Sequence, residues 1–325
     1  MHHRDIVENL TVASPNSTHP GRRRLTGTAE RRGTRSGLSL AGALLFGLAF
    51  VGAGVAILLL GLRVIPSDPD SVHAPWWVIQ VCGVCFAAGG LAVWGMASTQ
   101  WREDQRRKDA ARRYSGSQAL LDHGWDARGF TPPRWRRALQ LVLMASFMSL
   151  FFSVMNWIAW FAHAPVLFKI VAPLFDLILL LVWWKAAVEV ARAIRFGNSR
   201  VVFAHFPYAL NESVQLGWVP PRGITRAEKG TFTLRCVEEY YEERGSGSDR
   251  NRWLVHDELS AETQAFDSAQ TFAPGRAVEL RFTPANDALP TKLAADRPVF
   301  WELEVKLARA GLDFEERYLI PIYRS

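Results

Sequence analysis

The sequence predicts a bundle of four transmembrane α-helices followed by an all-β C-terminal domain, an antiparallel β-sandwich. Four apolar runs lie in the first 184 residues, and each is long enough to cross a bilayer. From about residue 200 the spacing of apolar residues changes from the helical period to the strand period of two. The basic residues cluster beside the apolar runs, as they do in membrane proteins.

The four apolar runs cover residues 37–62, 76–98, 138–162 and 166–184. A hydrocarbon core of about 30 Å takes about 20 helical residues to cross, so each run can span it. Because lipid offers backbone groups no hydrogen-bond partner, the runs are predicted to be helices. They define a transmembrane domain over residues 37–196.

The charge distribution predicts which side of the membrane the loops and termini face. Residues 1–36 contain seven Arg and three acidic residues, and residues 100–137 contain ten basic and five acidic residues. Under the positive-inside rule, the tail 1–36, the long loop 99–137 and the C-terminus lie in the cytoplasm. Residues 197–325 hold 16 basic and 19 acidic residues, so the basic excess flanks the membrane segments and argues against nucleic-acid binding. The polar tail is predicted to be disordered.

The segment 200–325 reads as a soluble β domain. Apolar and polar residues alternate in TFTLRCV at 231–237, in AVELRF at 277–282 and in FWELEVKLA at 300–308. This alternation is typical of antiparallel strands that bury one face and expose the other. We expect about seven or more strands and no helix, and a β-sandwich is the natural arrangement for them.

The C-terminal sequence also resembles the arrestin-like and immunoglobulin-like sandwich pattern. The matching elements are Pro284, Leu289-Pro290-Thr291, the WELEV strand at 301–305, Gly311-Leu312-Asp313 and Ile320-Pro321-Ile322. The stretches TLRCVEEY and WLVHDE are similar to the strand pair of uncharacterised bacterial multi-pass membrane proteins that carry such a domain of unknown function. The resemblance covers roughly residues 200–325, and it implies a sandwich and a bacterial inner membrane. It brings no catalytic residues with it.

Cys82 and Cys85 form a Cys-x-x-Cys in the second apolar run. One interpretation is a membrane thiol oxidoreductase, but such an enzyme needs a second cysteine pair, and the outer loops contain no cysteine. The alternative is helix packing, because Gly83 with Ala87 and Cys85 with Gly89 make two small-xxx-small pairs. We favour packing.

Asp176 is the most unusual residue of the apolar runs, since a charge inside a membrane is costly and often functional. It follows Pro173 by three residues in the fourth run, and Lys169 precedes it by seven residues. Asn156 and Ser153 in the third run are expected at a comparable depth. These residues make either a structural polar cluster, which we favour, or a conduction or sensing site.

Two charged clusters lie outside the apolar runs. Arg22, Arg23 and Arg24 in the tail are predicted to be a topology signal, with contact to anionic lipid as the alternative. Four glutamates at 238, 239, 242 and 243 flank Tyr240 and Tyr241. We expect them at a solvated hairpin end, with a contact surface as the alternative.

The sequence contains no usable catalytic or metal-binding motif, so no enzyme, metal or cofactor is predicted. We expect a multi-pass protein of the inner membrane, with both termini cytoplasmic, that binds a protein partner through its sandwich. The bilayer is its other partner, and homo-oligomerisation through the Gly/Ala-rich first two helices is a further expectation. The alternatives are a thiol oxidoreductase using Cys82 and Cys85, or a transporter or channel component using Asp176.

Overall fold

The computed structural model describes residues 22–25, 31–33, 40–66, 74–113, 118–162, 165–245, 250–273, 275–285, 288–309 and 311–324. The chain divides into two compact units. The helical unit contains Ser36–Arg106 and Pro133–Ile194. The sheet unit contains Met1–Arg35, Arg107–Pro132 and Arg195–Ser325.

Among the residues that the structure describes, four helices are long and apolar enough to cross a membrane, which agrees with the predicted number. They are α1 (Leu40–Gly61), α2 (Trp76–Arg113), α4 (Arg134–Phe161) and α5 (Val166–Phe196), and α3 (Gln118–Asp122) is a short helix in the long loop. Helices α2 and α5 continue beyond their apolar runs into charged sequence. Ion pairs one turn apart stabilise these extensions, as Glu189 and Arg192 do at 2.9 Å on α5.

Helices α1 and α2 pack through glycines. A Cβ built on Gly83 would lie 2.6 Å from the backbone nitrogen of Leu58, and one on Gly90 would lie 2.7 Å from the carbonyl oxygen of Gly47. Small residues allow such close approach between membrane helices. Gly83 therefore packs as predicted, but Gly89 does not, because nothing lies within 4 Å of a Cβ built there.

The sheet unit is built from short and long strands. The strands are β1 (Arg23–Arg24), β2 (Gly129–Phe130), β3 (Arg200–Phe203), β4 (Tyr208–Ala209), β5 (Val214–Val219), β6 (Arg226–Ala227), β7 (Lys229–Arg244), β8 (Asn251–Phe266), β9 (Gln270–Thr271), β10 (Val278–Phe282), β11 (Val299–Ala308), β12 (Phe314–Ile320) and β13 (Ile322–Tyr323). They form a five-stranded sheet of order β1-β8-β7-β11-β12 and a four-stranded sheet of order β10-β5-β3-β2. Two strand pairs, β13-β4 and β6-β9, complete the unit.

The two larger sheets are antiparallel and share one apolar core. Trp218 of β5 meets Phe232 of β7 edge to face at 5.4 Å between ring centroids. The indole of Trp218 donates a 3.0 Å hydrogen bond to the hydroxyl of Tyr318, which donates in turn to Ser199 at 2.6 Å. The buried polar groups of these three side chains thus bond to one another inside the core. The predicted antiparallel β domain is confirmed.

Two segments that precede the sandwich in sequence pack on it. From the loop 99–137, the carboxylate of Asp122 accepts hydrogen bonds from the backbone N–H groups of Leu293 at 2.6 Å and Ala294 at 2.7 Å. From the tail 1–36, β1 pairs with β8. The prediction of a disordered tail is therefore wrong for residues 22–25 and 31–33, because these contact the sheet; the rest of the tail lies outside the described residues.

Candidate functional site

Five acidic residues of strands β7 and β8 contact the tail, and we call this group the acidic edge. Its members are Glu238, Glu239, Glu242, Asp257 and Glu258. A β-bulge aligns them, since Cys236 pairs with Ser260 whereas Val237 pairs with Glu258, which leaves the intervening residue without a partner on β7. A bulge of this kind redirects the side chains that follow it.

The tail adds a strand to this sheet. Strand β1 runs antiparallel to β8, with Arg23 opposite Glu258 and Arg24 opposite Asp257. The N–H of Leu25 then donates to the carbonyl oxygen of His256 at 2.8 Å. Without β1, β8 would be an edge strand in this region. The tail therefore pairs with backbone N–H and C=O groups of β8 that would otherwise have no partner strand.

The arginine side chains pair with the acidic edge. The Nε of Arg22 lies 2.8 Å from Oδ2 of Asp257, and the same guanidinium binds Glu238. Arg24 lies 3.2 Å from Glu242. The guanidinium of Arg22 also lies over the ring of Tyr240 at 5.5 Å, within cation–π range.

Arg23 pairs with Glu258 at 3.7 Å. All three arginines are exposed, whereas Asp257 and Glu258 are buried. Exposed ion pairs contribute little individually, but the buried carboxylates need this positive charge nearby because an uncompensated buried charge is costly.

A second contact of the tail is centred on Glu239, whose side chain is only 2% exposed. Its carboxylate accepts hydrogen bonds from the backbone N–H groups of Arg32 at 2.7 Å and Gly33 at 3.1 Å, and it lies 3.1 Å from Nε2 of His256. A Cβ on Gly33 would stand 2.5 Å from Cγ of Pro298, so this approach requires glycine. The predicted solvated hairpin end is therefore wrong at Glu239, and the alternative of a contact surface describes it.

Glu239 is ionised more readily than a free glutamate. Burial raises the pKa of its carboxyl, but hydrogen bonds from His256, Arg32 and Gly33 outweigh burial and lower the pKa below the usual 4.5. The carboxylate is the form that accepts these bonds.

Leu25 gives the tail an apolar anchor. It packs against a small cluster formed by Val237, Leu293, Phe300 and Leu319. This cluster is separate from the main core of the sandwich. The site thus combines a strand edge, a row of acids and an apolar pocket, and these together fit an extended segment of the type Arg-Arg-Arg-Leu. Among the described residues, no group of three or more His, Cys, Asp or Glu could hold a metal ion.

The predicted intramembrane residues lie partly together. Asn156 of α4 donates a 2.8 Å hydrogen bond to Oδ1 of Asp176 on α5. Ser153 does not join them, because its hydroxyl donates to the carbonyl oxygen of Leu150 in its own helix at 2.6 Å. Lys169 is exposed in the first turn of α5. The conduction role of Asp176 stays a prediction.

Cys82 is half-buried and Cys85 is buried, and both are free thiols. Cys236, the third cysteine of the chain, is a buried thiol of the sheet unit. The redox role of Cys82 and Cys85 also stays a prediction.

No protein-family model matches the chain, and no curated protein matches it. Among solved structures, the chain is similar to the sporulation control protein Spo0M from Bacillus subtilis, at 15% sequence identity and a TM-score of 0.24. That match covers 39% of this chain and 49% of the Spo0M chain, so the likeness spans about half the length of that protein.

Proposed function

We propose that the protein is a membrane-anchored protein-interaction module whose acidic edge binds an arginine-rich, extended segment of a partner. The observation that carries this proposal is the pairing of β1 with β8, in which Arg22, Arg23 and Arg24 each meet an acid of the sandwich. The chain's own tail therefore serves as an internal example of the ligand. We propose binding without catalysis, because the contacts are those of recognition.

Two kinds of contact would select the partner. Backbone pairing with β8 gives affinity to any extended segment, and the acids and the apolar cluster give preference for arginines followed by leucine. Opposite charge also speeds the encounter of the two segments. The tail is tethered to the same chain, which gives it a high effective concentration at the acidic edge. A partner segment must compete with the tail for that edge.

We further propose that the helices anchor this module in a bacterial inner membrane, with both termini and the sandwich in the cytoplasm. The support is the excess of basic residues in 1–36 and 100–137, next to the apolar runs. A phosphatase that is active only outside the cytoplasm, fused to the C-terminus, should therefore be inactive in cells. Activity there would overturn this orientation.

The binding proposal can be tested with the full-length chain in nanodiscs of neutral lipid, which does not attract a basic peptide. The open variant, Arg22→Ala/Arg23→Ala/Arg24→Ala, should expose the acidic edge. A fluorescent peptide with the sequence of residues 22–33 should bind it measurably, and should bind the wild type less well because the wild-type tail competes. Fluorescence anisotropy measures both affinities.

The same assay identifies the site. Asp257→Asn, added to the open variant, removes the charge that pairs with Arg22 and should weaken peptide binding at least tenfold. Glu279→Gln removes an exposed acid on β10 of the other sheet and should leave binding unchanged. Equal binding by both variants, or equal binding by the wild type and the open variant, would overturn the proposal.

A further inference from the structure

The docked tail is held lightly. Strand β1 is two residues long, and both residues are exposed. The apolar anchor of the tail, Leu25, is only partly buried. The N–H groups of Arg32 and Gly33 add two hydrogen bonds to the carboxylate of Glu239. A short, exposed segment with few buried contacts opens at a lower free energy than core strands do, so the tail can leave the sandwich while the sandwich stays folded.

The buried acids keep partners of their own when the tail leaves. The hydroxyl of Tyr240 donates a 3.0 Å hydrogen bond to Oδ2 of Asp257. The guanidinium of Arg235 lies 4.0 Å from the carboxylate of Glu258. A buried carboxylate with no partner at all would oppose release of the tail. Because these two acids retain contacts inside the sandwich, docking of the tail is reversible.

The arginines of the docked tail stay open to a second anion. The side chains of Arg22, Arg23 and Arg24 are 50%, 65% and 44% exposed although each of them is paired with an acid. A guanidinium group binds phosphate as well as carboxylate, through the same fork of N–H donors. An anion that carries phosphate groups can therefore compete with the acidic edge for these side chains.

The sequence places these arginines just before the first long helix. Residues 22–35 contain six arginines and one acidic residue. Arg24 precedes Leu40, the first residue of α1, by 16 positions, and an extended chain of that length reaches at most about 55 Å. Under the proposed anchoring, the arginines stay near the leaflet that α1 enters. Clusters of about four to eight basic residues next to a membrane helix are typical of segments that bind anionic lipid.

We infer that anionic phospholipid competes with the acidic edge for the arginines of the tail and releases the tail from the sandwich. A lipid surface attracts all six arginines of 22–35, and each is attracted at least as strongly as an exposed ion pair would hold it. The tail is therefore docked on a neutral membrane and released on an anionic one. The inference rests on the proposed function, because release matters when a partner segment then occupies the acidic edge.

Hydrogen–deuterium exchange of the full-length wild type in nanodiscs measures release directly, by mass spectrometry with fragmentation to single residues. In phosphatidylcholine, the N–H groups of Leu25, Arg32 and Gly33 should be protected by their hydrogen bonds. In nanodiscs in which about one lipid in three is phosphatidylglycerol, they should exchange roughly tenfold faster. The amides of β11, which has a strand on either side, should exchange equally in both lipids. Unchanged exchange of the tail would overturn the inference.

A stepwise increase in the fraction of phosphatidylglycerol tests the competition. Asp257→Asn weakens docking, so its tail should be released at a lower fraction than the wild-type tail. Glu279→Gln, on β10 of the other sheet, should need the same fraction as the wild type. If Asp257→Asn and the wild type also need the same fraction, the lipid does not compete with the acidic edge, and the inference is wrong.

Two further measurements separate the possible explanations. Soluble glycerophosphoglycerol, the headgroup without its acyl chains, should leave the tail docked in neutral nanodiscs; release would indicate a free phosphate ligand and would overturn the inference. The Leu25 N–H of the open variant should exchange fast in both lipids, and slow exchange would show that the arginines do not hold the tail.

The peptide assay on the open variant in neutral lipid tests the proposed function separately. If the peptide binds there but the wild-type tail stays docked on anionic lipid, only this inference fails. If the tail is released but the peptide does not bind, only the proposed function fails.

Discussion

Gly54 of α1 lies so close to Ala87 of α2 that a Cβ built on the glycine would stand 2.3 Å from the backbone nitrogen of Ala87 and 2.8 Å from its Cα. The atoms in the way belong to a helix backbone, which cannot move as a side chain can. The two helices must therefore separate to admit even one methyl group.

Gly54→Ala should destabilise the helical unit by about 1–3 kcal/mol, which is the usual cost of overpacking. The thermal unfolding midpoint of the full-length protein in detergent, followed by tryptophan fluorescence, measures this effect. Gly52→Ala is the matched control, because nothing lies within 4 Å of a Cβ at Gly52. If both variants melt at the same temperature, the close contact between α1 and α2 does not exist.

Arg235 should be critical for the stability of the sandwich. It is 4% exposed, and its guanidinium contacts Glu302 at 2.8 Å and Glu304 at 3.1 Å. Arg235→Met would leave two buried carboxylates without this counter-charge and should cost about 3–5 kcal/mol in the free energy of unfolding. Chemical denaturation of the full-length protein measures it.

Lys306→Met is the control for that experiment, since Lys306 pairs with the same Glu304 at 2.9 Å but is 51% exposed. Exposed pairs contribute about 0–1 kcal/mol. If Arg235→Met and Lys306→Met lower the free energy of unfolding by the same amount, the burial of Arg235 does not make its ion pairs more important. Adding Glu302→Gln to Arg235→Met should recover part of the stability, because it removes the buried charge of Glu302, which pairs with Arg235.

Docking of the tail should depend on pH through Glu239. Hydrogen bonds from His256, Arg32 and Gly33 outweigh burial and lower the pKa of this carboxyl. The tail therefore docks preferentially on the ionised form of Glu239. Because the pKa of Glu239 is lowered, its contribution to docking of the tail is complete above the ordinary pKa of 4.5. This contribution is lost as the pH falls through the lower pKa of the docked state. Peptide affinity of the open variant should therefore be constant near neutral pH and fall below about pH 4.5.

Glu239→Gln tests the origin of that pH dependence. The variant removes the titrating group and keeps a similar shape, so the decline in peptide affinity at acidic pH should become smaller. Glu242, whose pKa is lowered by hydrogen bonds from Arg244 and Arg24, should account for part of the remaining decline. An unchanged pH profile in Glu239→Gln would contradict the assignment.

Cys236 should resist thiol reagents in the folded protein. Burial raises the pKa of its thiol to about 12, so the reactive thiolate is scarce at pH 8. In a Cys82→Ala/Cys85→Ala background it is the remaining cysteine of the chain. Iodoacetamide should label it only after denaturation, as mass spectrometry would show. Rapid labelling of the native protein would place Cys236 outside the core.

The helices and the core strands could be predicted because their signals are local. A span must satisfy its own backbone groups, so length and composition decide it. The alternation around Leu234 and Leu303 identifies the residues that enter the apolar core, but the expected exposed face is wrong here, because Arg235, Glu302 and Glu304 on that face are buried too. The docked tail could not be predicted in this way. Arg22 and its partner Asp257 are 235 residues apart, and an arginine-rich segment has the same composition whether it is free or bound. The bulge that aligns the acids leaves no pattern in the sequence either.

The separation between β1 and β8 also sets an order of assembly during synthesis. The tail leaves the ribosome before the sandwich does, and Asp257, which pairs with Arg22, follows it by 235 residues, after all four long helices have been made. At about 5–20 residues per second this leaves the arginines without their acids for about 10–50 s. Under the proposed membrane anchoring, the nascent tail carries this positive charge while the first helices enter the bilayer, and the acids of the sandwich pair with it only afterwards. Under the proposed orientation, one short segment can in this way act as a topology signal early in synthesis and later occupy the acidic edge of the finished protein.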